Sequence, residues 1–197
     1  RGFVNISNPC TSVSNIKVAK GGRYVTDAEY ASLYNFLADK PIIQCAMEIA
    51  YLCATRRGDV LSLTRQHVIV EGLVIKQSKT EKEQVKLWSP RLRAAVDLAL
   101  SIKHKRINSL HIIRNRSGQG YTDSGFSAVW KKAMAQAVDK GVLTQKFRFH
   151  DLKIKAISDF EGDKQKFSGH KTTSQMERYN RTPDAVGTIS KVLNIDD

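Results

Sequence analysis

The stretch from Pro41 to Ala54 constrains the fold more than any other part of the chain. Proline suits the first position of a helix, and the run behind it is apolar on every side except at Gln44 and Glu48. A helix that is apolar all round has to be wrapped by other elements. The chain therefore needs a packed core of several elements, and its 197 residues supply the material. Folding at this size buries roughly 70% of the surface that the unfolded chain exposes. No run of ~18 apolar residues occurs, so no membrane-spanning helix is expected.

The sequence around that helix predicts its wrapping. Thr26 and Glu29 have the spacing of a capping box, which opens a helix to about Lys40 with Tyr30, Leu33, Tyr34 and Leu37 on one face. Three strand-like stretches follow, His67–Val70, Leu73–Gln77 and Gln84–Trp88, joined by turns at Glu71-Gly72 and across residues 78–83. Ser89 and Pro90 start a helix to about Lys103, Leu110–Ile113 reads as a short extended piece, and Gly118 to Gly120 as a loop. Thr122 or Asp123 caps a helix to about Lys140. Further helices are expected at His150–Phe160, around Thr172–Tyr179 and in the last twelve residues. The fold class is mainly α with a small antiparallel β-sheet (α+β). Residues 1–23, with breakers at Pro9, Gly21 and Gly22 and no initiator Met, read as a connector from a preceding part of a longer protein.

Charge narrows the partners. Lys and Arg number 32 against 19 Asp and Glu, a net charge of +13. Nucleic acid is the leading polyanion for such an excess, ahead of an anionic membrane. A membrane reading needs a basic amphipathic helix with a spare apolar face, and each candidate helix here is needed by the core. Cysteine offers little chemistry. Cys45 and Cys53 lie eight residues apart on one helix, roughly 12 Å, beyond the ~7 Å reach of a disulfide. They read as small core residues in a reducing compartment, and no CxxC or HExxH spacing suggests a metal.

Four local patterns carry possible chemistry, each with an ordinary alternative. Arg56 and Arg57 stand where the apolar helix ends; a cation is favoured there by the helix dipole, yet two adjacent guanidinium forks also suit a phosphate. Lys79 lies in the polar hairpin, where lysines are commonly mere surface charge. His150 and Lys153, three apart at a helix start, share a face. His170 and Tyr179, nine apart, would point to opposite sides of one unbroken helix, but a loop before Thr172 lets both turn into one site.

Taken in order, these residues resemble the tyrosine recombinase (phage integrase) family over about residues 24–181. The stretch from Arg56 through Gly58, Asp59, Val60 and Leu63 is similar to that family's first arginine motif, and Lys79 between Ser78 and Thr80 to its hairpin lysine. His150 to Lys153 resembles the His-x-x-Arg box, and Gly169-His170 followed by Tyr179 the last box. The resemblance implies the integrase catalytic-domain fold over residues 24–182, an end of a core-binding domain and linker in 1–23, and a C-terminal tail in 183–197. The choice of Arg56 over Arg57 follows the motif's phase, which also sets Asp59 to buttress the arginine. One departure stands out: the second arginine is Lys153. It keeps the charge but not the bidentate fork, so either the phosphate is held less rigidly there or Arg148 or Lys155 compensates.

What the resemblance implies is cleavage of DNA by Tyr179, giving a 3′-phosphotyrosyl link and a free 5′-hydroxyl that attacks another strand. The bond energy is conserved, so no ATP is needed, and no P-loop pattern occurs. A phenol is only about 0.1% ionised at pH 7, so Tyr179 needs a base, with His150 the candidate. Arg56, Lys153 and His170 would stabilise the charged phosphorane, and each such donor can be worth ~3 kcal/mol of barrier. Lys79 would protonate the leaving oxygen. No cofactor and no metal are expected. The implied partners are double-stranded DNA, a homotetramer on two duplexes, and accessory DNA-bending or directionality proteins. The implied location is the cytoplasm of a bacterial host. An apolar stripe in the tail, Val186, Ile189, Val192 and Leu193, would dock on a neighbouring subunit or pack in cis. The competing readings are a DNA-binding or regulatory module of the same fold that no longer cleaves, a type IB topoisomerase, and a metal-dependent nuclease.

Overall fold

The structure is a computed structural model of the chain, and the description covers residues 21–102 and 109–181. The expectations for residues 1–20, for the last twelve residues and for the apolar tail stripe lie outside those residues.

Helix α1 (Asp27–Phe36) opens with the expected capping box: the Thr26 hydroxyl accepts from the Glu29 amide at 3.2 Å, and the Glu29 carboxylate accepts from the Thr26 amide at 2.9 Å. It ends four residues before the expected Lys40. The residue preceding a proline is disfavoured in helical backbone, and Lys40 leaves it at ψ 59° to cap helix α2 (Pro41–Leu52). Every residue of α2 from Ile43 to Ala50 is buried, as its composition requires. Its two polar positions are satisfied. Gln44 donates to the Tyr34 carbonyl at 2.9 Å, and Glu48 accepts both arms of Arg91, at 2.6 and 2.7 Å, and the Tyr30 hydroxyl. Cys45 and Cys53 are free and buried, and burial pushes both thiols up to about 12.

A short helix, α3 (Arg57–Leu61), leads to strands β1 (Gly72–Lys76) and β2 (Glu83–Leu87). These pair antiparallel, with Val74 opposite Val85. The sheet has two strands rather than the three expected. Arg65–His67 forms a 3₁₀ turn, and Val68 makes only a single bridge, to Leu73. The cause is local: the His67 ring hydrogen-bonds the Thr64 amide at 3.0 Å and the Thr64 hydroxyl at 2.8 Å, which coils the chain where a strand would have to extend.

Helix α4 (Pro90–Ser101) is capped by Ser89, and α5 (Asp123–Asp139) by Thr122 rather than Asp123. Between them Ile112 and Ile113 are buried in the extended piece, where Ile112 bonds back to Leu63. Helices α6 (Asp151–Asp159), α7 (Lys164–Ser168) and α8 (Thr173–Glu177) complete the described chain. The central helix α2 packs against α4 on one side and α6 on another. A small second cluster, Ala54, Ala156 and Ile157 with Tyr51, Phe167, Met176 and Tyr179 around them, forms a floor below the end of α8.

Candidate active site

Helix α2 stops at Leu52, and Ala54 turns the chain through a left-handed backbone (φ 51°). That turn puts Arg56 at the N-terminal cap of α3, not on a helix C-terminus, so the dipole explanation for the arginine pair does not apply. The two arginines then part company. Arg57 is held on α5, its fork on Asp123 and one nitrogen on the Ser127 hydroxyl at 2.6 Å. Arg56 turns the other way and donates to the Gln77 side chain at 3.0 Å. Asp59 does not brace Arg56. Buried, it accepts from the amide and hydroxyl of Ser78 at 3.0 and 2.7 Å, which fixes the hairpin turn that carries the exposed Lys79.

Lys153 lies in α6 with 1% of its surface exposed, its ammonium 3.5 Å from the Ser168 carbonyl. Burial, with Arg56 nearby, lowers it to about 7. Neither proposed substitute for the missing arginine sits beside it as an equivalent. Lys155 is on the far face, ion-paired to Asp27 and Asp159, where hydrogen bonds to those carboxylates raise its pKa against the cost of burial. Arg148 bonds Asp151 at 3.1 Å and lines the groove described below.

Helix α7 ends at Gly169 in a left-handed cap (φ 69°), and the chain turns His170 inward before Thr172 caps α8. This is the loop that the nine-residue spacing called for. His170 is 5% exposed; its Nδ1 is 2.7 Å from the Ser168 hydroxyl, and its Nε2 is buried with no hydrogen-bond partner among the described residues. Burial, then Lys153, Arg56, His150 and Lys79, lowers it to about 4. The Tyr179 ring lies 4.7 Å from His170 and 5.5 Å from His150, centroid to centroid, and the Lys153 ammonium is 6.0 Å from its centre. His150, capping α6, is lowered by burial and by Lys153. One chain thus gathers His150, Lys153, His170 and Tyr179, with Arg56 close enough to lower Lys153 and both histidines, while Lys79 stands at the exposed rim.

Beside this cluster runs a groove of about 1020 Å³. Arg23, Arg56, Arg57, Lys131, Lys146 and Arg148 line it, over the aromatic edges of Trp130, Phe147 and Phe149. Among the described residues, no three His, Cys, Asp or Glu side chains come together so as to hold a metal ion.

Two polar residues at the site escaped the sequence reading. Gln77 is 5% exposed at the end of β1, and Lys86 on β2 reaches the Phe167 carbonyl, with burial lowering its amine to about 8. A signal existed. On β2 the polar Gln84 and Lys86 face inward and Val85 and Leu87 face solvent, an inverted alternation that marks the inner face as a site rather than core.

Residues 23–185 match the family model described as the phage integrase family. No curated protein matches the chain. Among solved structures, the chain is similar to a lambda integrase dimer bound to a COC′ core site (20% identity, TM-score 0.65, covering 85% of this chain and 63% of that one). It is also similar to a lambda integrase tetramer bound to a Holliday junction (19%, TM-score 0.70, 92% and 56%) and to XerA recombinase (16%, TM-score 0.67, 82% and 61%). The chain spans less than two thirds of each, and at these identities the likeness is one of fold.

Proposed function

This chain belongs to the phage integrase family, and from that premise we propose that it cuts and rejoins duplex DNA at a specific site through a covalent 3′-phosphotyrosyl link to Tyr179. The observation that carries the proposal is the seating of the Tyr179 ring against His150 and His170 of its own chain, with the Lys153 ammonium behind it.

In this reading the scissile phosphate enters between Arg56, Lys153 and His170. Tyr179 attacks the phosphorus while His150, whose burial favours the neutral ring, takes the phenol proton. The phosphorane's added charge falls among preorganised donors: the Arg56 guanidinium, the Lys153 ammonium and the Nε2 edge of His170. Lys153, poised near 7 in the free protein, is restored to full charge by the arriving phosphate. Lys79 swings from the hairpin rim to protonate the departing 5′-oxygen. Lys79, Arg56, Lys153 and both histidines supply the required charge and proton transfers. The basic groove takes the flanking backbone without reading its sequence.

The neighbour bound as a tetramer to a Holliday junction supports assembly of four copies on two duplexes. The tail 183–197 would dock on the adjacent subunit. Deleting it should abolish synapsis of two duplexes and leave binding to one intact, in a gel assay of both species.

The test is a pool of nicked duplexes with a randomised core, incubated with the protein and resolved under denaturing conditions. Wild type is expected to yield covalent protein–DNA adducts, and Tyr179→Phe none. No wild-type adduct, or an undiminished one from Tyr179→Phe, defeats the proposal. A second reading, a binding module that no longer cleaves, is favoured by one observation, the lysine at 153. Lys153→Ala separates the two: cleavage predicts adduct formation at least tenfold slower with DNA affinity little changed.

A further inference from the structure

The strand β1 turns Leu73, Ile75 and then Gln77 to its inner face, so an apolar series ends in a buried amide. A methionine would fill the same space without a polar group to satisfy. The amide instead makes a full set of hydrogen bonds. Its Oε1 accepts from Arg56 at 3.0 Å and from the Thr80 hydroxyl at 3.2 Å, while its Nε2 donates to the Ser168 carbonyl at 3.0 Å and to Gln84 Oε1 at 3.4 Å.

Three of those partners belong to separately encoded pieces of the site. Arg56 starts α3, Thr80 lies next to Lys79 in the hairpin turn, and Ser168 ends α7 two residues before His170. The backbone is shaped to admit the contact. A Cβ on Gly169 would lie 2.1 Å from Gln77 Nε2, so the left-handed turn that aims His170 also lets the amide reach Ser168. Ser168 in turn holds His170 Nδ1 with its hydroxyl and is approached by the Lys153 ammonium with its carbonyl.

We propose that Gln77 is a positioning residue for DNA cleavage: one neutral amide that sets Arg56, the Lys79 hairpin and the His170 turn in mutual register around the phosphate. The inference rests on the cleavage reading given above. Neutrality is part of the design. A carboxylate at this place would also hold Arg56, but it would offset the guanidinium charge that the phosphate requires, and it would face the Ser168 carbonyl with a second acceptor.

The experiment uses a duplex recovered from the wild-type adduct pool and measures three quantities for wild type, Gln77→Met and Gln77→Glu: the Kd for the duplex, the rate of adduct formation at saturating DNA, and the melting temperature. Gln77→Met is expected to keep its Kd within threefold and form adduct at least tenfold more slowly. In an Arg56→Lys background the same substitution should cost clearly less than in wild type, because the Arg56 part of the register is already lost. Gln77→Glu keeps the acceptor for Arg56 and Thr80 and carries the same test should Gln77→Met fail to fold; it too is expected at least tenfold slower at saturating DNA. A variant that cleaves at the wild-type rate, or an equal loss in both backgrounds, or a loss confined to Kd and melting temperature, overturns the proposal. Absence of adduct from wild type itself is a different result and brings down the cleavage reading.

Discussion

Lys153 is an amine enclosed at 1% exposure among Arg56, His150, His170 and Lys86, with Asp59 the carboxylate that favours its charge. Such a group costs stability in the free protein, and the sign of its pH dependence follows. Unfolded, the amine keeps its proton to about pH 10; folded, it gives it up near 7. Below 7 both states are charged and the folded state carries the full desolvation cost. Between 7 and 10 the folded amine is neutral, and the remaining cost shrinks with each pH unit until it vanishes. Lys153→Met is therefore expected to stabilise the free protein by about 2–4 kcal/mol at pH 6 and by almost nothing at pH 10, read from denaturant midpoints. Lys153→Arg addresses function instead. The wild-type rate of adduct formation at saturating DNA should fall as pH rises from 7 to 9, because the Lys153 ammonium becomes harder to keep charged at the phosphate, whereas the arginine variant should show a flatter profile over that range.

Among the elements, the hairpin of β1 and β2 carries Lys79 at its turn. Gly72 pairs with Leu87, and a Cβ there would stand 2.2 Å from the Lys86 carbonyl oxygen. Gly72→Ala is expected to shift the strands apart, lower stability by more than about 2 kcal/mol and slow adduct formation through a displaced Lys79. A thermal melt paired with the adduct assay checks both. The capped helices were legible from sequence because a cap is a matter of three or four adjacent residues: Thr26 with Glu29, Ser89, and Thr122 all act within one turn. The expected strand at His67–Val70 does not form because the Thr64–His67 side-chain bonds compete with extension, and nothing in the apolar pattern reports them. Helices α3 and α7, five residues each, are too short to display a period. Their placement comes from tertiary anchors, Asp59 on the hairpin and the Ser168 carbonyl on Gln77.

At the scale of the molecule, a net charge of +13 is partly focused in the groove beside the cluster. Lys131 and Lys146 are exposed on its walls. Lys131→Ala and Lys146→Ala are each expected to weaken duplex binding evenly across sequences and to reduce the slope of log K against log salt by about 1, measured by titration at several salt concentrations. Cleavage at saturating DNA should be unaffected by either. The opposite pattern, unchanged salt slope with altered sequence preference, would assign these lysines to base contacts.

The order of the six proposed site residues, Arg56, Lys79, His150, Lys153, His170 and Tyr179, is legible in the sequence through the family resemblance, and the apolar helix that had to lie at the centre is legible from residue type alone. Which of two adjacent arginines faces the cluster was decided by contacts 21 and 66 positions away, Gln77 for Arg56 and Asp123 for Arg57. The exchange of roles at Asp59, the enclosure of Lys153 and the amide at Gln77 were likewise settled by folding. Each depends on which distant groups arrive at hydrogen-bonding range, and that distance is fixed only when the packed core sets every element against α2.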